Sequence, residues 1–168
     1  MRTFALCLVV VISTLLGLRM AKRLRGREQS ILCFLSACSH LKDAMLYWGM
    51  ELPAAWEKTA RAAQEPWKGV FLQALEQAQA HELCAYTARL IQKRAKALQL
   101  LDEDVQACAN FFMGLGMQSA DQLQMRFDFI QRTMNMALQQ AGENRRGRDK
   151  LYRSAGLICG LAIALLLA

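Results

Sequence analysis

Apolar residues follow two different patterns along this chain. At the ends they run without interruption, from Thr3 to Leu18 (TFALCLVVVISTLLGL) and from Ser154 to Ala168 (SAGLICGLAIALLLA). Between the ends they recur every three or four residues, the period of a helix with one buried face, and no stretch shows the alternation of a half-buried strand. A first long helix is predicted with Ile31, Leu35, Cys38, Leu41, Met45 and Trp48 on one face, ending near Gly49. Pro53 and Pro66 each suit a first helical position. They start short helices, one carrying Trp56 and the next Trp67, Val70, Phe71, Ala74 and Leu75. A further helix carries Leu83, Tyr86, Leu90, Ala97 and Leu98. Asp102, Glu103 and Asp104 then oppose the positive end of a helix dipole. The helix they open holds Val105, Cys108, Phe112 and Leu115 and stops at Gly114 to Gly116. The last helix places Leu123, Phe127, Ile130, Met134, Ala137 and Ala141 on one stripe and approaches the C-terminal apolar segment, loosened at Gly142 and Gly147. The expected fold is all-α: an antiparallel bundle of five to six helices flanked by N- and C-terminal transmembrane helices.

The terminal segments read as membrane anchors. The first has the length of a signal-peptide core, but it lacks a small-x-small cleavage site and is followed at once by cations. The second rises only about 22 Å over its own fifteen residues. Including Leu151 and Tyr152, with Arg153 snorkelling its charge to the interface, lengthens it to about 27 Å, close to a hydrocarbon core of roughly 30 Å. Both segments carry small residues at four-residue spacing: Ser13, Gly17 and Ala21 in the first, and Gly156, Gly160 and Ala164 in the second. Such stripes let helix backbones approach closely in lipid, which makes these six residues the candidate membrane-helix packing positions.

Charge sharpens this picture. The net charge is +7, from 21 basic and 14 acidic residues. Arg19, Lys22, Arg23, Arg25 and Arg27 follow the first segment, and Arg145, Arg146, Arg148, Lys150 and Arg153 precede the second. From Glu28 to Asn144 ten basic residues stand against thirteen acidic ones, a net of −3. A nucleic-acid binder gathers its cations on a recognition surface, so this distribution argues against nucleic acid as a partner. Cations beside apolar segments stay on the cytoplasmic side. The expected organisation is therefore a transmembrane helix over 1–21, a cytoplasmic helical domain over 22–150 and a transmembrane helix over 151–168, with both termini outside the cell membrane.

Candidate chemistry is sparse. The two histidines are His40 and His81. Cys33 and Cys38 differ by about 140° on a helix, so with His40 they cannot close one tetrahedral metal site. His81-Glu82-Leu83-Cys84 lacks the downstream cysteine pair of a zinc deaminase. No phosphate loop, nucleophile elbow or dinucleotide fingerprint is present, and helix capping explains Asp102 and Asp104. The six cysteines read as small hydrophobes without disulfides. The nine methionines read mainly as core filler, the other reading being a Met-rich groove for a partner helix. The expectation is a protein with no catalytic residue, no metal and no cofactor.

Several short signatures, in order, resemble one family. Gly17-Leu-Arg-Met20-Ala21-Lys22, followed by Arg27, Ile31 and Leu35, is similar to the start of the stage III sporulation protein AB family. Lys150-Leu151-Tyr152-Arg153-Ser154-Ala155-Gly156-Leu157, with Gly160-Leu161 and the apolar tail, resembles its end. Tyr47 followed by Pro53-Ala-Ala, and Phe112-x-x-Leu115-Gly116 followed by Gln122, resemble its middle. Leu52 stands where that family usually has threonine, and Trp48 to Glu51 lengthens the turn before Pro53. The resemblance implies a role in endospore formation, in the mother-cell membrane around the forespore, within the apparatus joining the two compartments. It implies a central domain similar to the cytoplasmic domains of type II secretion platform proteins (the F component). The implied partners are a secretion-type ATPase and other membrane subunits of that channel, beside membrane lipid and a homo-oligomeric copy. The alternative is a membrane-anchored helical protein with its own transport or enzymatic activity. A transporter would normally carry ionisable groups inside its membrane helices, and neither Phe4 to Leu18 nor Ser154 to Ala168 contains one.

Overall fold

The computed structural model describes residues 26–116 and 119–167, with side chains described as far as Glu143. Among these residues every regular element is a helix. The helix α1 covers 26–42 and passes into a π-helical turn, Asp43–Tyr47. It is followed by α2 (Leu52–Ala62), α3 (Trp67–Gln77), α4 (Leu83–Lys93), α5 (Ala95–Leu98), α6 (Asp102–Met113) and α7 (Ala120–Leu167). Gly26–Gln139 forms one compact unit, the helical domain. Both proposed anchors and all six of their packing residues (Ser13, Gly17, Ala21, Gly156, Gly160 and Ala164) lie outside the residues with described side chains. Among the described residues no helix is long and apolar enough to cross a membrane.

The domain core is aromatic. Trp56, Trp67, Phe34, Phe71, Phe112 and Phe127 are fully buried. Phe112 links the helices: its ring centroid lies 5.2 Å from Trp56 on α2, 5.9 Å from Phe71 on α3 and 6.2 Å from Phe34 on α1. These are the tilted and edge-on separations that aromatic quadrupoles favour. The neighbouring Phe111 reaches Phe127 on α7 at 5.2 Å. Trp67 packs on Phe34 at 4.6 Å, and its indole N–H donates to the Ser30 carbonyl at 2.8 Å, giving a buried polar atom its partner. The last helix follows its predicted stripe, with Leu123, Phe127, Ile130, Met134 and Ala137 all buried in this core. Gly142 and Gly147 lie inside α7 without breaking its helical backbone. A glycine costs an interior helical position only about 1 kcal/mol, too little to end a helix.

Three local expectations are corrected. Trp48 is 58% exposed and not on the core face of α1. The π turn explains this: the Trp48 amide donates to the Asp43 carbonyl five residues back, at 3.2 Å, so the chain carries an extra residue per turn and the stripe loses phase. Gly49 follows in the left-handed region with φ +59°, and the Met50 amide folds back to the Ala44 carbonyl at 3.0 Å, closing the helix end. The helix predicted from Leu83 to Leu98 is two, parted at Arg94 (φ −97°, ψ 11°). The turn brings Leu98 into the core while Ala97 stays exposed. Pro66 sits before the first turn of α3, after a cis peptide bond to Glu65, and Pro53 is the second residue of α2.

Candidate interaction surface

The charge cluster after the first apolar segment is not uniform. Arg27 leaves it: the guanidinium binds the Asp104 carboxylate with both arms, Nε at 2.8 Å and Nη2 at 3.0 Å. Both side chains are nearly buried, at 11% and 4% exposure. Asp104 also accepts the Leu101 amide at 3.1 Å, so the acidic run opens α6 as expected while one of its members anchors α1. The cations left to flank that segment are Arg19, Lys22, Arg23 and Arg25.

His40 and His81 are both exposed. Cys33, Cys38, Cys84 and Cys108 are free thiols. Burial pushes the Cys38 and Cys108 thiols well above the ordinary range, Cys38 further through the nearby Cys108 and Cys108 through Asp104. Burial alone raises Cys84 to about 11. A thiol that stays protonated is a poor nucleophile and a poor metal ligand.

What the domain does present is apolar surface. Met134 fills the core and Met45 and Met50 pack against it, as core filler should. Met113, Met125 and Met136 do not: they are 61%, 72% and 58% exposed. On α7, Met125 and Met136 align with Phe129, which is 70% exposed. At about 100° per residue, Met125, Phe129, Arg132 and Met136 fall within roughly 60° of one another and lie nearly opposite the buried stripe. The first turns of α7 are therefore apolar on two faces, only one of which the domain covers. A depression of about 590 Å³ opens between Gln122, Met125, Arg126 and Phe129.

Two polar groups beside this stripe are fixed by the fold. Asp128 accepts from Lys42 Nζ at 2.7 Å, tying α7 to the end of α1. Arg126 Nη1 donates to the Asn110 carbonyl near the C-terminus of α6, where a cation suits the helix dipole. That approach needs Gly114, since a Cβ there would stand 1.9 Å from the same nitrogen. Arg132 is exposed and makes no ion pair among the described residues. A second apolar patch is the π turn, where Tyr47 is 76% exposed and Lys58 Nζ sits 2.8 Å from the Trp48 ring centroid.

The α7 surface was partly legible in the chain. Met125, Phe129 and Met136 keep helical spacing and are apolar, a second stripe that core-filling accounts absorb too readily. The family model for stage III sporulation protein AB matches residues 2–168. No curated protein and no solved structure matches the chain.

Proposed function

Since the chain belongs to the stage III sporulation protein AB family and so has a role in sporulation, we propose that it acts there as a non-catalytic platform subunit of the mother cell–forespore channel. Two membrane helices, over 1–21 and 151–168, anchor it in the mother-cell membrane around the forespore. Its helical domain faces the cytoplasm and docks the secretion-type ATPase of the same apparatus.

The observation that carries this reading is the two-faced first part of α7. A helix apolar on one stripe is satisfied by its own domain; one apolar on both presents surface suited to a partner, and Met125, Phe129 and Met136 are too aligned for scattered surface hydrophobes. The basic residues on the inner flank of each apolar segment support the orientation. Arg27 is spoken for by Asp104, which leaves nine such cations.

The test is co-purification of the cognate ATPase with the full-length chain from detergent-solubilised membranes of sporulating cells. The reading expects the two to elute together, and the ATPase to be lost from the solubilised membrane fraction when the chain is omitted. An ATPase that never accompanies the chain, in cells where both are present, overturns it.

A further inference from the structure

We infer that the corner between α5 and α6 rests on the headgroup layer of the membrane that anchors the chain, with Leu101 inserted among the headgroups and Lys93 and Lys96 against lipid phosphates. This rests on the two anchors of the platform reading above and adds to it the face of the domain that meets the bilayer.

The corner lies where the chain enters the domain. Gly26 opens α1, and the Gln99 side chain lies so close against it that a Cβ on Gly26 would collide with the Gln99 oxygen. One residue on, Arg27 grips Asp104 at 2.8 Å. Two contacts therefore hold the segment from Gln99 to Asp104 to the first turn of α1. The first apolar segment ends at Ala21, five residues before Gly26. Such a link spans at most about 18 Å, whatever direction α1 takes. Headgroups occupy about 5–7 Å of that reach, and what remains is about the width of a single helix. No folded domain fits between. Lys22, Arg23 and Arg25 on the link draw it closer, since an anionic leaflet attracts basic residues beside a membrane segment.

The side chains of the corner suit that layer. Leu101 is 52% exposed at the position just before the first turn of α6. Helices favour Ser, Thr, Asp or Asn there, and leucine is among the poorest choices. The fold neither buries this leucine nor caps the helix with its side chain, so the domain alone does not account for it. Lys93 at the end of α4 and Lys96 in α5 are exposed and make no ion pair among the described residues. At a bilayer surface the leucine enters, and the lysines lay their stems along it while keeping their charges at the phosphates. Lys93, Arg94 and Lys96 are balanced by Glu28, Asp102 and Glu103, so charge by itself selects no partner. The reach of the chain and the exposed leucine select the bilayer.

The experiment uses the full-length chain in nanodiscs of phosphatidylglycerol and phosphatidylethanolamine. A photo-crosslinking residue in place of Leu101 should form a lipid adduct, read by mass spectrometry. The same residue in place of Tyr47, 76% exposed beyond the far end of α1, should form none. Leu101→Ser supplies a better helix cap, so the unfolding midpoint should hold or rise while amine labelling of Lys93 and Lys96 increases several-fold. Lys58, beside the π turn, should label equally in both proteins. Position 101 crosslinking only to protein, no adduct there, or equal lipid adducts at 101 and 47 overturns the inference. So does labelling of both lysines that Leu101→Ser leaves unchanged. In each case a chain that resists alkaline extraction from the membrane leaves the anchors standing. A chain released by alkaline extraction overturns the anchors themselves, and this inference with them.

Discussion

Removing the carboxylate from Asp104 should destabilise the helical domain severely, far more than losing a surface ion pair would. Asp104 is 4% exposed and accepts three hydrogen bonds: two from Arg27, at 2.8 and 3.0 Å, and one from the Leu101 amide, at 3.1 Å. An Asp104→Ala variant leaves the Arg27 guanidinium, 11% exposed, with its charge uncompensated. Breaking one side of a buried pair costs about 3–5 kcal/mol, and losing the helix-start contact adds about 1 kcal/mol. A domain of this size has about 5–15 kcal/mol in total, so the variant should retain little of its stability. Replacing both partners together, Arg27→Met with Asp104→Leu, removes the charge along with its counter-charge. It should recover most of the loss, because hydrophobic replacement of a buried pair is often neutral or better. Equilibrium urea unfolding of the full-length chain in detergent micelles, followed by the fluorescence of buried Trp56 and Trp67, measures both. If Asp104→Ala costs less than about 1 kcal/mol, the pair behaves as a solvated surface bridge and the argument fails.

The other predictions address separate links. Gly49→Ala should destabilise by about 1 kcal/mol, since φ is +59° and a Cβ meets no neighbour that could compensate; equal midpoints in the same unfolding assay would contradict the left-handed helix end. In the native protein at pH 8, Cys38 and Cys108 should resist alkylation and Cys84, with its thiol near 11, should react slowly. The Cys84 pKa is raised on folding, so its contribution to stability is present below the unfolded value of about 8.5 and is lost as pH rises towards 11. Rapid labelling of Cys38 in a mass-spectrometric time course would refute its burial. A reporter fused after Ala168 should be active only outside the cytoplasm; activity inside would reverse the proposed topology.

Most of the helical plan was legible because helix burial leaves a local, periodic trace. Leu123, Phe127, Ile130, Met134 and Ala137 are three and four residues apart in the chain and share one buried face in the fold. The acidic start of α6 was legible for the same reason, since a dipole acts within one turn. Trp48 was misplaced because a single π turn shifts the helical phase, and that shift depends on how the end of α1 closes over Gly49 rather than on composition. Arg27 looked like one more cation beside a membrane segment. Its partner lies 77 residues away, and only folding brings α1 and α6 together to neutralise and bury the pair. On α7 the periodicity read along the chain was the single stripe of Leu123, Phe127, Ile130, Met134 and Ala137, and Met125 and Met136 counted among the methionines read mainly as core filler. The covered face matched that stripe, while the exposure of Met125, Phe129 and Met136 on the other side followed only from how the domain packs against α7 through Phe111 and Lys42. Local periodicity comes from interactions within a turn or two and can be read along the chain. Which faces are buried and which charges are paired depends on contacts between distant segments, and these exist only once the helices have packed.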